Sequence, residues 1–456
     1  MNLQDYLQSS QQRHLDELLE FLSIPSVSAL STHNADTRKA AEFVATKLKD
    51  LSFQVTLNET PKHPIVTAHY HVDDALPTVL IYGHYDVQPP DPMNLWTSPP
   101  FEPVVKDGVI VARGSSDDKG QVYAHIKGAE ALIKTTGTLP VNLKFLIEGE
   151  EEISSPNLLP FLGSHEDDLK TDVVIISDGA MMAPNTPTIT YGLKGIAYIE
   201  VRVKTAAMDL HSGAFGGGVP NPINALAKMI AALHDSKGRI TVPGFYDAVL
   251  DVSPMEKAAF EKVPFDEKKF AQEIGVTATP GEAGYSLLER LWARPTLDCN
   301  GIGGGFQGEG SKTVIANTAM AKISCRLVPN QDPDDIRDKL TAYLKELAPA
   351  GVQVEVIDLH GGKPAMSPIE SGSVQTAAKA LQQVYGKEAI FARTGGSIPI
   401  VSNLQDLLKA EVVLVGFGLE TDRVHSPNEK FDLENYYKGI ETSSALLNAF
   451  ASRSSQ

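Results

Sequence analysis

Cysteine is scarce: Cys299 and Cys325 are the only two in 456 residues. That excludes the disulfide framework of a small secreted scaffold, and both are expected as reduced core residues. Long hydrophobic runs are also missing, since no apolar stretch reaches the roughly 20 residues a bilayer span needs. The opening Met1-Asn2-Leu3-Gln4-Asp5 has no basic patch followed by an apolar segment, so a cytoplasmic address and no membrane partner are expected. Basic charge is in deficit, with 40 Lys and Arg against 57 Asp and Glu and a net charge of −17. Without a Lys/Arg stripe, nucleic acid is not an expected partner. Internal repeats and low-complexity tracts are lacking too. What is there is ordinary globular composition, 42% hydrophobic and 21% charged, in a chain long enough to expect two domains.

The apolar pattern alternates between helix and strand. Leu15, Leu18, Leu19 and Leu22 mark an amphipathic helix that stops at Ile24-Pro25, where proline disfavours helix in the preceding residue. A second helix carries Phe43, Val44, Leu48 and Leu51. Strands follow at Ile65 to His71, Thr78 to Tyr82 and Val109 to Ala112, then a helix from about Gln121 to Lys134, then strands at Asn142 to Ile147 and Asp172 to Ile176. Such alternation predicts an α/β layer architecture. A glycine-rich break at Tyr191-Gly192-Leu193-Lys194-Gly195 is a candidate hinge. Beyond it, strand patterns at Ala197 to Lys204, Lys322 to Leu327 and Val352 to Ile357, with helices at Ile223 to Leu233 and from Pro333, predict a smaller α/β domain that ends near Gly361-Gly362. The last segment returns to strand at Val412 to Val415 and a C-terminal helix. Residues 235–292 show no clear pattern.

Four acidic or histidine-bearing clusters each follow a predicted strand, where loops commonly build ligand sites. In Gly83-His84-Tyr85-Asp86-Val87, His84 is a candidate metal ligand and Asp86 the carboxylate that orients it. Alone, a His-x-Asp is more often a hydrogen-bonding pair. In Gly114-Ser115-Ser116-Asp117-Asp118-Lys119-Gly120, Ser116 or Asp117 would cap the following helix without any ligand. Glu148-Gly149-Glu150-Glu151-Glu152 is either solvated or held by a cation, because adjacent carboxylates repel. In Ser177-Asp178-Gly179 a turn explains the Asp. Recurrence changes the balance: these clusters together with His425-Ser426-Pro427 suit one shared centre for hard divalent ions, with an Asp as bridge.

The ordered motifs resemble those of the co-catalytic metallopeptidases that include cytosolic nonspecific dipeptidase, carnosinase, glutamate carboxypeptidase, aminoacylase and succinyl-diaminopimelate desuccinylase. Gly83 to Pro89, Arg113 to Gly120 and Arg326-Leu327-Val328-Pro329-Asn330 are most similar to the dipeptidase and carnosinase branch. The resemblance implies two divalent metal ions, zinc or manganese, one held by His84, Asp117 and Asp178 and the other by Asp117, Glu152 and His425. It places the general base, acting on a metal-bridging water, at Glu151 and the orienting carboxylate at Asp86. Glu151 and Glu152 are aligned to the family's Glu-Glu pair, with Glu150 the extra acid. It also implies that His211, in Asp209-Leu210-His211-Ser212-Gly213, reaches the active site of the other subunit of a homodimer. Thr313, Arg326, Gly396 and Ser397 would bind substrate, Arg326 through its paired donors on a free carboxylate. Thr394 departs from the pattern, standing where related dipeptidases usually carry Glu.

The fold implied is a two-domain α/β architecture. A mixed-sheet catalytic domain with helices on both faces, residues 1–194 and 363–456, is interrupted by a smaller α/β sandwich for lid and dimerisation, residues 195–362. The function implied is hydrolysis of dipeptides with a free carboxylate. A carboxypeptidase or an N-acyl amino acid deacylase or desuccinylase is the nearest alternative, and an inactive metal-binding scaffold the alternative of another class. Ser397 and Ser426 lack the Gly-x-Ser-x-Gly setting of a serine nucleophile.

Overall fold

In the computed structural model, which describes residues 1–396 and 399–452, the apolar runs form the middle of a nine-stranded mixed sheet. Across it the strands are Gln54–Asn58, Ile65–Tyr70, Asn142–Glu148, Thr78–His84, Val173–Ile176, Glu411–Leu414, Thr188–Leu193 and Ala365–Met366, and Ile390–Thr394 also pairs parallel with Thr188–Leu193. Thr78–His84 is parallel to both of its neighbours. Side chains alternate faces along a strand, so Val79 and Ile81 enter one core with Phe145 and Ile147, while Leu80 and Tyr82 enter another with Leu146, Val174 and Ile176. Burial on both faces explains why these strands read as continuous apolar runs. Helices Gln11–Leu22, Asn34–Asp50, Lys119–Thr136, Gly372–Tyr385 and Leu433–Ala451 cover the first face, and Leu158–Ser164 and Pro399–Leu408 the second.

A separate four-stranded antiparallel sheet orders Thr296–Gly304, Thr318–Leu327, Gly195–Lys204 and Gln353–Gly362. Ile199, Val201, Ala321 and Ile323 bury one face of it against Leu226 and Met229 of helix Pro222–Ala231 and Ile336, Leu340 and Leu344 of helix Pro333–Leu347. On the other face Arg202, Lys204 and Lys322 are exposed. No helix among the described residues is long and apolar enough to cross a membrane.

The structure refines four points of the sequence reading. Tyr191-Gly192-Leu193 is strand, so the expected break shrinks to Lys194, the single residue between a strand of one sheet and a strand of the other. Val109–Val111 is a strand as expected, and it pairs with Val104–Lys106 and Lys430–Asp432 apart from the large sheet. Cys325 is buried as expected, but Cys299 is exposed, on the edge strand Thr296–Gly304 beside a register shift between Cys299 and Gly301. The unpatterned interval contains helices Pro254–Glu261, Glu267–Glu273 and Leu287–Trp292, whose capping Ser253, Asp266 and Ser286 start them in place of a long amphipathic repeat.

Candidate active site

The carboxyl ends of three adjacent strands bring His84, the Glu148–Glu152 turn and Asp178 together. Glycine permits the close approach at two points. A Cβ on Gly83 would lie 2.6 Å from Asp118 Oδ2, and one on Gly149 would lie 2.3 Å from the Tyr85 ring. The His84 N–H donates to Asp118 Oδ2 at 3.1 Å. Its ring Nδ1 is 3.0 Å from the Asp86 carbonyl and 3.3 Å from Asp86 Oδ1, which fixes the proton on Nδ1 and aims Nε2 into the cluster. Nε2 lies 3.1 Å from Asp117 Oδ1 and 3.9 Å from Asp178 Oδ2. A lone pair facing two carboxylates is repulsive unless a proton or a cation intervenes.

Asp117 turns its other oxygen to His425, whose Nε2 lies 2.9 Å from Asp117 Oδ2 and 3.2 Å from Glu152 Oε2. His425 has φ 62°, a backbone region uncommon for a residue with a side chain and frequent at functional sites. Two donor groups therefore share Asp117: His84, Asp117 and Asp178, and Asp117, Glu152 and His425, each with one ligand atom per residue within 4.8 Å of the others. The helix-capping reading of this motif does not hold. Helix Lys119–Thr136 has no side-chain cap, and Ser116 Oγ donates to Asp422 Oδ2 instead.

Electrostatics mark the cluster as short of positive charge. Burial pushes Glu151 up to about 9, with Asp178, Glu152 and Asp117 adding to the shift and His84 opposing it. Burial and the charge of Asp117 push Asp178 up to about 7. Burial disfavours ionised Asp117, but hydrogen bonds from His425 and His84 outweigh it and hold its carboxyl well below the usual range. Hydrogen bonds to Asp117 and Glu152 push His425 up to about 10. Three carboxyls, those of Glu151, Glu152 and Asp178, thus hold protons more tightly than usual where cations are absent, while Asp117 stays ionised between two imidazoles. Carboxylate oxygen and imidazole nitrogen in this arrangement would suit two divalent ions, one for each donor group.

Around the cluster stands a frame that the sequence motifs only partly revealed. Asp86, fully buried, accepts the Glu151 N–H on Oδ1 at 3.2 Å and the Glu152 N–H on Oδ2 at 3.1 Å. Its carboxylate thereby braces the Glu-Glu turn as well as His84. Gln88 Nε2 donates to Glu152 Oε2 at 2.8 Å. Glu429, absent from the sequence reading, is fully buried and accepts the N–H groups of Gly114, Ser116 and Asp117 at 3.0, 2.9 and 3.1 Å, while Arg113 Nη1 donates to it at 2.6 Å. His125, also missed, lies between Ser177 Oγ at 2.7 Å and Ser443 Oγ at 3.0 Å, next to Asp178 in sequence through Ser177. No local pattern announces contacts between residues hundreds of positions apart.

The other expected residues lie elsewhere. His211 and Thr313 are neighbours at a two-stranded ribbon, Leu210–His211 against Val314–Ile315, and the Ser212 N–H donates to the Thr313 carbonyl at 3.0 Å. His211 is exposed, and its Nδ1 accepts the Gly213 and Ala214 N–H groups at 3.1 and 3.2 Å. Among the described residues, none of its hydrogen bonds reaches the cluster. Arg326 is half-buried in the small sheet, opposite Ile196 and Thr296. Gly396 is exposed in the turn after Ile390–Thr394, its carbonyl accepting the Lys194 N–H at 3.1 Å. Ser397 lies outside the described residues.

A model of peptidase family M20/M25/M40 matches residues 80–449. The chain belongs to this family. It is similar to the Cys-Gly metallodipeptidase dug1 of Schizosaccharomyces pombe, 32% identical over 467 residues that cover 99% of this chain and 98% of that one. Among solved structures it is similar to human carnosine dipeptidase 1, with TM-score 0.79 and 30% identity over 99% of both chains. It is also similar to the M20 family metallo-carboxypeptidase from Sulfolobus solfataricus, with TM-score 0.83 and 33% identity over 96% of this chain and 99% of that one.

Within this M20 peptidase the three consecutive acids point to different tasks. Glu150 accepts the His63 N–H at 2.8 Å and Asn157 Nδ2 at 2.8 and 3.0 Å on its two oxygens. Its carboxylate is consumed in fastening the turn. Glu152 faces His425, and Glu151 feels the charges of His84, Asp178 and Asp117.

Proposed function

We propose that this M20 peptidase is a dinuclear metallodipeptidase that hydrolyses dipeptides with a free carboxylate. The observation that carries this reading is Asp117, whose two oxygens face His84 on one side and His425 on the other. His84, Asp117 and Asp178 would hold one ion, and Asp117, Glu152 and His425 the second, zinc or manganese in each case. Such ions polarise a scissile carbonyl and make water acidic near neutral pH.

The chain's own groups supply the rest. Glu151, braced by Asp86 through its backbone N–H, accepts the proton of the attacking water and passes it to the leaving amine. Asp86 keeps the His84 proton on Nδ1. Arg326 pairs with the substrate carboxylate. His211 and Thr313 act on the site of a second copy of the chain, a homodimer role that their exposed ribbon supports; His211 Nε2 would donate to the carbonyl oxygen as charge develops there. Residues 195–362 are read as lid and dimerisation domain between the catalytic segments 1–194 and 363–456. Two free thiols, one of them exposed, suit a reducing cytoplasm.

The similarity to named dipeptidases supports the choice of substrate. A carboxypeptidase is the second reading, favoured by the similarity to the Sulfolobus solfataricus metallo-carboxypeptidase and by Thr394. One experiment separates them: hydrolysis of a dipeptide panel, a tripeptide and an N-acetyl amino acid by chelator-stripped protein before and after zinc or manganese is restored. Metal-restored cleavage confined to dipeptides is expected. Cleavage confined to the longer or acylated substrates transfers the enzyme to the second reading, and activity indifferent to stripping rejects the metal centre.

A further inference from the structure

The stretch from Val252 to Ala293 lies within the insert in sequence, yet its apolar side chains leave the small sheet. Val252, Ala259, Phe260, Val263, Trp292 and Ala293 share a core with Tyr191, Ile369 and Ala392 at the edge of the large sheet. In that contact a buried polar knot forms. Arg393, whose side chain is 9% exposed, pairs with Glu256, whose side chain is 14% exposed. Arg393 Nε donates to Tyr191 Oη at 3.1 Å, and Tyr191 Oη donates to Glu256 Oε1 at 2.9 Å.

Neither partner of the pair is free to drift. Glu256 Oε2 accepts the Ser253 N–H at 2.9 Å, and the Glu256 N–H returns to Ser253 Oγ at 3.2 Å, the reciprocal cap that starts helix Pro254–Glu261. Arg393 lies across Gly192, where an added Cβ would meet its Cγ at 3.0 Å, at a register shift between Ala392 and Arg393. The turn that follows is gripped from the same side. Thr394 Oγ1 accepts the Gly396 N–H at 3.2 Å, Lys194 donates its N–H to the Gly396 carbonyl, and Lys194 Nζ donates to the Arg290 carbonyl at 3.2 Å.

We infer that Glu256 is a positioning residue for substrate binding: through Arg393 and Tyr191 it fixes the Thr394–Gly396 turn, so the 252–293 stretch of the insert sets the shape of the pocket without touching substrate. The inference rests on the reading of Gly396 as a substrate contact. Its physical basis is that a buried guanidinium deprived of its carboxylate must shift or find water, and the turn one residue away moves with it.

The test uses full-length, metal-loaded Glu256→Gln and Tyr191→Phe, with KM and kcat for a cleaved dipeptide, metal content, and backbone amide exchange of residues 390–396. Glu256→Gln is expected to raise KM about tenfold with kcat within about threefold. Metal content stays at the wild-type value, and exchange of residues 390–396 quickens by about tenfold. Tyr191→Phe gives the same pattern at about threefold. Unchanged KM and unchanged exchange in a folded Glu256→Gln overturn the inference, as does a fall in kcat with KM and exchange unchanged. Should Glu256→Gln not fold, Tyr191→Phe decides by the same two readouts. Exchange needs no substrate, so a wild-type enzyme that cleaves no dipeptide sinks the proposed function while the exchange result still judges the link between Glu256 and the turn.

Discussion

Asp86 and His211 both come from short motifs in which Asp and His stand two apart, yet the structure treats them differently. Asp86 is fully buried, with each carboxylate oxygen committed to a backbone N–H and its carbonyl to the ring of His84. His211 is exposed on a two-residue strand, its ring tied, among the described residues, to the N–H groups of the turn that follows it. A side chain held from several directions is finished within its own chain, whereas one held along a single edge is arranged to meet something that arrives. The strand-end cluster is of the first kind and the ribbon of the second, and it is the ribbon that the proposed second copy would meet.

Glu151→Gln breaks the finished half most severely. Loss of the proposed proton acceptor is expected to cut kcat by about 10³–10⁴, with metal content, measured by elemental analysis, at the wild-type value, because Glu151 is in neither donor group. Retained activity would move the base to another member of the acidic run. His211→Ala tests the other half, with an expected loss of about 10²–10³ in kcat and no change in thermal midpoint. Mixing the two inactive variants sharpens the comparison. If His211 serves the other subunit, equal mixing after subunit exchange restores about a quarter of wild-type sites, since half the dimers are mixed and each has one intact site. No recovery in a mixture shown to exchange subunits would confine His211 to its own chain.

The contrast also explains what could be read from sequence. Strand cores such as Thr78–His84 announce themselves because Val79 to Tyr82 must be apolar to fill two cores at once. Gly83 and Gly149 stand in the motifs because no side chain fits there. Hidden instead was whatever depends on distant pairing: Glu429 under the Asp117 loop, Glu256 against Arg393, the place of Cys299 on an edge strand. The capping alternative for Ser116 and Asp117 was locally sound and failed because Asp422, Glu429 and the histidines outcompete the helix end for those groups. Shifting one residue along Glu150–Glu152 changes every role, and only the third dimension shows Glu150 turned toward His63 and Asn157.

Glu429→Gln attacks the frame and leaves the donor groups intact. Arg113, 1% exposed, would lose its carboxylate, and stability measured by urea unfolding is expected to fall by about 3 kcal/mol. The Asp117 loop loses its brace as well, so metal affinity should weaken in a competition titration while His211-dependent complementation is unaffected. A variant as stable as wild type would reduce Glu429 to a bystander.

The gentlest perturbation is to withdraw metal and vary pH. In the metal-free cluster burial raises Glu151 to about 9 and Asp178 to about 7, and hydrogen bonds to Asp117 and Glu152 raise His425 to about 10. A raised pKa means that the folded state keeps a proton the unfolded chain releases. The stabilisation is complete below the unfolded value, roughly 4 for the carboxyls and 6.5 for histidine, and disappears as pH climbs through the folded values. Asp117, held low by its two histidines, works in the opposite sense and only at acid pH, where its contribution is lost as it protonates. Chelated protein is therefore expected to lose thermal midpoint steadily from about pH 4 to about pH 10. Metal-loaded protein should lose less over the same range, because cations take the places of those protons and favour the ionised carboxylates. Parallel curves in a differential scanning experiment would mean that metal and protons do not compete for one cluster, and the division between a finished metal centre and an open ribbon would lose its electrostatic half.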